Sequence, residues 1–225
     1  MSTVRIPTQQ RGLETRKRIE KAAFKLFSKK GIHGTNTKEI ADKAGVSIGS
    51  FYSYFKDKKQ LLLEILENFL NQAYLVIWKD LGSYSVEGLT RDNIKSVITN
   101  VFKAYDIAPR FLSQTHALRY SDPDINRIYE RERQRELDQI MALIESNRDR
   151  LNIRDPYATA IIIHNAVEHV AHTAKFIGPE IEESRLIEEL TSIIYDFFSF
   201  RMISAGQPGA SNPGGQGNPQ GEGRH

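Results

Sequence analysis

Residues 37–62 read TKEIADKAGVSIGSFYSYFKDKKQLL. The run Ala44-Gly45-Val46-Ser47 is a tight turn signal between two short helical patterns. Asn36, with Glu39 three residues on, marks the start of the first pattern, and Gly45 stops it. Ser47 caps the second pattern, which ends near Phe55. This second pattern is odd. It spends a helix on Ser50, Ser53, Gly49, Tyr52 and Tyr54, where Leu, Glu or Lys make a steadier helix.

The surroundings are helical in both directions. From Leu13, the residues Ile19, Ala22, Ala23, Leu26 and Phe27 form one apolar face, and Gly31 and Gly34 end that helix. Asp57 with Gln60 starts a fourth helix, whose Leu61, Leu62, Ile65, Leu66, Phe69 and Leu70 continue towards Trp78. Further helices are predicted at about 91–105, 108–120, 124–151, 156–177 and 183–203, separated at Gly82 and Gly88, Pro109, Pro123, Pro156 and Gly178-Pro179. No segment alternates with period two, so the class is all-α. Four parts are expected: an arm over 1–12, a three-helix unit over 13–57, a helical body over 58–204, and a disordered Gly/Pro-rich tail over 205–225.

The chain has 225 residues and no cysteine, which excludes disulfides, thiolate metal sites and cysteine nucleophiles. No apolar run approaches a membrane span or a signal core, so the expected compartment is the cytoplasm. Residues 1–60 hold 14 Lys/Arg and 5 Asp/Glu, a net charge of +9; the rest hold 17 and 23, a net of −6. A basic head on an acidic body points to a polyanion partner, or to a basic solvated face.

Two short helices around a Gly-containing turn make a helix-turn-helix, whose second helix enters the major groove N-terminus first. That explains the composition. Gly49 and Ser50 lack bulk, so the backbone can approach a duplex. Ser47, Ser50 and Ser53 offer hydroxyls, and Tyr52 and Tyr54 reach further. Ile40, Ala41, Ala44, Val46, Phe51 and Phe55 supply the apolar side. A small helical hairpin with a Ser/Gly-rich surface is the plainer reading.

Thr37, Ile40-Ala41, Ala44-Gly45-Val46-Ser47, Gly49, Tyr52, Tyr54-Phe55, Lys58 and Leu61 resemble the N-terminal signature of the tetracycline-repressor (TetR) family. The resemblance is detailed over residues 13–62. It implies a dimeric, ligand-responsive transcriptional repressor that binds a palindromic double-stranded DNA operator and is released by a small organic effector. It implies a phosphate contact for Thr37 and a recognition helix carrying Ser47, Ile48, Gly49, Ser50, Tyr52, Ser53 and Tyr54. Lys58 is implied to hold a phosphate. The C-terminal helices are implied to form a ligand pocket and a dimer interface.

In the body, helix 156–177 places Ile162, Ile163, Ala166, Val167, Val170, Ala171 and Ala174 on one broad face. His164, Asn165, Glu168, His169, His172 and Lys175 gather on the other. This stripe reads as a solvated or interface face, a small-ligand contact, or a place for a metal. One straight helix cannot wrap His164, Glu168 and His172 around one ion, because the outer pair are about 12 Å apart. No metal site and no cofactor are expected. Arg133 and Glu136 fall on the buried side of helix 124–151, and Tyr74, Trp78, His116, Arg119 and Tyr120 are candidate pocket walls or core packing. No phosphate loop, HExxH or GxSxG appears, so no enzyme is expected. The rival reading is a helical protein-interaction module without DNA binding, because helix 183–203 is apolar enough to need a partner surface.

Overall fold

A computed structural model describes residues 10–79, 89–178 and 180–202. Most of the expected arm, the breaks at Gly82 and Gly88, Pro179 and the tail over 205–225 lie outside the described residues. The described residues form helices α1 (Gln10–Lys30), α2 (Thr37–Ala44), α3 (Ile48–Tyr54), α4 (Lys58–Trp78), α5 (Arg91–Ile107), α6 (Pro109–Arg119), α7 (Pro123–Glu145), α8 (Pro156–Phe176) and α9 (Glu183–Arg201). There is no strand among them. A lone bridge pairs Leu151 with Met202.

Two boundaries differ from the sequence expectation. Residues 10–12, expected in the arm, are the first turn of α1, where Gln10 donates to Glu14 and the Thr15 hydroxyl donates to the Arg11 carbonyl. α7 stops at Glu145, not near 151. The Asn147 side chain turns back to donate to the Leu143 carbonyl at 2.6 Å, and the Asn152 amide donates to the Arg201 carbonyl at 2.8 Å. The link to α8 thus belongs to the end of α9.

α1, α2 and α3 wrap the first half of α4, and Phe27, Ile40, Phe51, Phe55, Leu61 and Leu66 are fully enclosed between them. Burying each such side chain contributes about 1.5–3 kcal/mol. The second half of α4 packs on α5 and α7, while α5 also lies against α8 and α9. Phe24 of the head, Phe69 of α4 and Phe111 of α6 join the two halves in one aromatic cluster, with centroids 5.5–6.1 Å apart. No helix among the described residues is long and apolar enough to cross a membrane.

Candidate nucleic-acid interface and body pocket

The turn chemistry sets the angle of α3. Asn36 is extended, and its side chain accepts the Glu39 amide at 2.9 Å. Gly45 closes α2 in the left-handed region, φ 66°, and passes its N–H to the Ala41 and Asp42 carbonyls. A residue with a Cβ would be strained there by about 1–2 kcal/mol. Ser47 then caps α3 by accepting the Ser50 amide at 3.0 Å.

Phe51 is the one fully buried residue of α3, and with Phe55 just after it holds this helix in the core. Ser47, Ile48, Gly49, Tyr52 and Ser53 are exposed, with Ile48 at 43% and Tyr52 at 46%. Ser50 and Tyr54 are half-buried, and Tyr54 packs against the core. A Cβ on Gly49 would meet only Ser47 Oγ, at 3.9 Å, so nothing among the described residues requires glycine there. Thr37, the first residue of α2, shares a 3.2 Å hydrogen bond with the Tyr52 hydroxyl, which pins the ring beside the start of α2. The Ser53 hydroxyl donates to the Gly49 carbonyl at 3.0 Å.

Lys58 has a job that the sequence did not reveal. Its ammonium donates to the Ile32 and Thr35 carbonyls, both at 2.8 Å, and so locks the loop between α1 and α2. Among the described residues, two of its three N–H donors are used, which leaves one for an outside acceptor.

In the body, the polar stripe of α8 divides: His169 is exposed, while other members face the pocket. Ile162 of the apolar face is 68% exposed, while His164 and Glu168 of the polar face turn inward to line the body pocket. Both His164 and Glu168 are answered by another helix. Tyr105 of α5 donates to Glu168 at 2.6 Å, and His164 Nε2 lies 2.7 Å from Glu136 of α7.

The pocket has two adjoining lobes. An apolar lobe of about 90 Å³ is walled by residues such as Trp78, Ile98, Ile140, Val167 and Phe198. A more polar lobe of about 160 Å³ is walled by Tyr74, His116, Arg119, Tyr129, Glu132 and Arg133, among others. Glu136, His164 and Glu168 stand at the boundary of both. Two buried polar atoms on the walls, Trp78 Nε1 and Glu132 Oε1, have no hydrogen-bond partner among the described residues.

Burial and the charge of Glu136 push the Glu132 carboxyl up to about 7, against the pull of Arg135. Burial and Glu136 likewise raise Glu168. Burial alone would lower His164, but the Glu136 hydrogen bond and charge hold it above its ordinary value. His116 is pushed down to about 3 by burial, with His172 and Arg119 adding to the effect.

Of the nine pocket residues expected, Tyr74, Trp78, His116, Arg119, Arg133, His164 and Glu168 line one lobe or both. Tyr120 does not: it caps the C-terminus of α6 and is 89% exposed. His172 stands behind the wall, its ring 5.0 Å from His116 and 4.7 Å from Phe176. His164, Glu168 and His172 thus have separate neighbours, and no group of three His, Asp or Glu among the described residues is set to hold a metal. Sequence reading missed Tyr105 and Glu132. The first lies near the end of α5 among unremarkable residues, and the second is one acid in a charge run; only the packing of α5, α7 and α8 brings both onto the wall of one lobe.

A family model for bacterial regulatory proteins of the tetR family matches residues 19–65. The chain is 47% identical over 60 residues to the HTH-type transcriptional regulator AcrR of Shigella flexneri, a match covering 27% of this chain and 28% of that one. It is 32% identical over 88 residues to the HTH-type transcriptional repressor KstR2 of Rhodococcus jostii, covering 37% and 40%. These matches span less than half of either relative. The fold as a whole resembles a TetR transcription regulator of Haloarcula marismortui, with a TM-score of 0.68 at 13% identity over 85% of this chain and 100% of that one. The head, over residues 19–65, thus carries the sequence likeness to the tetR family of bacterial regulatory proteins, and the all-helical body shares the fold of the TetR regulator compared.

Proposed function

We propose that the chain is a cytoplasmic transcriptional repressor that binds a palindromic operator as a homodimer and releases it when a small organic effector enters the body. The observation that carries the DNA reading is α3. It is capped and anchored by Phe51, yet presents Ser47, Ile48, Gly49, Tyr52 and Ser53 outward on a head of charge +9. Thr37, Ser50, Tyr54 and the spare N–H of Lys58 complete the contact set, with Thr37 and Lys58 on phosphate.

The dimer reading is supported by apolar side chains left bare on the last two helices: Ile162 on α8, and Ile193 and Phe200, 88% exposed, on α9. A second copy covers them, and the mass in solution should be twice 25.7 kDa. A monomer at working concentration would remove the two-half-site model.

The effector reading rests on α4. Its first half is buried in the head through Leu61 and Leu66, and its second half walls the pocket with Tyr74, Ile77 and Trp78. An apolar void of about 150 Å³ takes a molecule the size of benzene, so lobes of this size fit a small apolar body with one polar end. A larger effector must spread the helices and tilt α4. To lower DNA affinity 100-fold it must favour the spread state by about 2.7 kcal/mol.

The experiment is selection of bound sequences from random duplexes, followed by titration with wild type and Tyr52→Ala. Specific binding that vanishes in the variant, at unchanged helical content, is the expected result. No enrichment from the pool would sink the DNA reading. Calorimetry of effector candidates with and without the selected duplex then tests the switch, because a ligand bound equally well in both cases is no inducer.

A further inference from the structure

We propose that the groove between α1, α4 and α5 is a second ligand site, for an amphiphilic organic anion that touches head and body at once. The groove is separate in character from the two-lobed pocket. Its volume is about 560 Å³, within the roughly 300–1,000 Å³ typical of small-molecule sites. Its floor is apolar and comes from both halves of the molecule: Phe24 of α1, Ile65, Ala73 and Val76 of α4, and Ile107 of α5. Ile107 is 65% exposed, a large apolar side chain at the edge of a concave surface.

The rim decides the charge of the occupant. Lys17 and Lys21 stand on the α1 side and Lys103 on the α5 side. None of the three makes an ion pair among the described residues. The one acid on the rim, Glu20, is held by Arg16 at 2.6 Å. Asn68, Gln72 and Asn100 supply neutral amides. An apolar floor under three free ammonium groups suits an aliphatic or aromatic body ending in a carboxylate or sulfonate, and it disfavours a cation. Such a molecule spans from α1 to α5 over α4, so its binding free energy depends on the angle between head and body. By linkage, that angle must then respond to the ligand. This last step rests on the DNA-binding reading, whereas occupancy of the groove does not.

The test uses the full chain and two amphiphiles of equal length, dodecanoate and dodecylammonium, below their micellar concentrations, with binding followed by calorimetry. Wild type should bind dodecanoate at least tenfold more tightly than dodecylammonium. The triple variant Lys17→Glu, Lys21→Glu, Lys103→Glu should lose at least tenfold for dodecanoate while melting as wild type does, since all three side chains are exposed. Ile107→Ser should weaken it about threefold or more. Unchanged dodecanoate affinity in the triple variant overturns the proposal, because the chain would then be held elsewhere, as in the inner pocket. Equal affinity for both amphiphiles overturns it too, as does a rim substitution that alters only the dimer mass. If the groove fills but affinity for the selected duplex stays constant, the coupling to the head is wrong and the site alone survives.

Discussion

Gln114 of α6 accepts the Ile32 amide through Oε1 at 2.6 Å, so a body side chain completes the end of the first head helix. The same junction holds Arg110, donating to the Lys29 carbonyl at 2.9 Å, and Lys59 of α4, within 3 Å of both Asp122 and Asp124 before and within α7. Head and body therefore meet through polar contacts of defined direction as well as through Phe24, Phe69 and Phe111. A tilt of α4 must strain or break some of them.

Gly31 is the sensitive point of that junction. It sits at φ 83°, and a Cβ there would lie 2.4 Å from Gln114 Nε2. Gly31→Ala should cost about 1–3 kcal/mol, part from the left-handed backbone and part from expelling Gln114. In a Gln114→Ala background the second part is already gone, so the two costs should not add. Urea unfolding of the four proteins measures the cycle. Strict additivity would mean that Gln114 swings aside freely.

Gly49 separates folding from recognition. Because a Cβ there meets only Ser47 Oγ, at van der Waals distance, Gly49→Leu should leave stability unchanged or raise it, by up to about 1 kcal/mol of helix propensity. The same change should abolish specific DNA binding by filling the groove-facing gap. Loss of stability in this variant would mean that the site is crowded, and full DNA affinity would mean that α3 docks in another way.

Lys58 should behave as both a structural and a phosphate lysine. Lys58→Ala is expected to lower stability by about 1–3 kcal/mol, since two carbonyls of the α1–α2 loop lose a charged donor. It should also flatten the slope of log affinity against log salt by about one unit per subunit. Exposed Lys56 is the control, expected to leave stability within about 0.5 kcal/mol. A stability loss with an unchanged salt slope would leave Lys58 a purely internal fastener.

The sequence made the head legible because its information is local. Asn36, Gly45, Ser47 and Asp57 each act on a backbone group within a few residues, and the structure has all four in those roles. The body was less legible because its decisive contacts are distant. Periodicity sorted α8 into two faces, but it could not show which face turned inward: the answer depends on Tyr105 and Glu136, 63 and 28 residues away from their partners Glu168 and His164. Tyr120 read as a wall because it follows a patterned helix, yet as the cap it leaves the packed surface. The end of α7 was overrun because Asn147 looks like any polar helix residue until its side chain is seen reaching back to Leu143.

The pH dependence of stability should expose the pocket from the inside. His116 is enclosed by Tyr105 of α5, Tyr129 of α7 and His172 and Phe176 of α8, with Arg119 on its own helix, and burial depresses it to about 3 from an unfolded value of 6.5. Between those values the unfolded chain binds the extra proton. This group therefore removes stability as pH falls below 6.5, at up to about 1.4 kcal/mol per pH unit. Glu132 works in the opposite sense: raised from 4.5 to about 7, it binds a proton in the folded chain first, so stability is lost as pH rises through that window. The two slopes oppose each other between pH 4.5 and 6.5, and single variants should uncover them. The stability of His116→Phe minus wild type should become more favourable by about 2 kcal/mol from pH 6.5 to 5. The stability of Glu132→Gln minus wild type should become more favourable by a similar amount from pH 5 to 7.5. Urea unfolding at three pH values measures both differences, and groups common to each pair cancel. A His116→Phe difference that stays constant with pH would show the imidazole titrating as it does in water, and the enclosed aromatic wall of the pocket would have to be open to solvent.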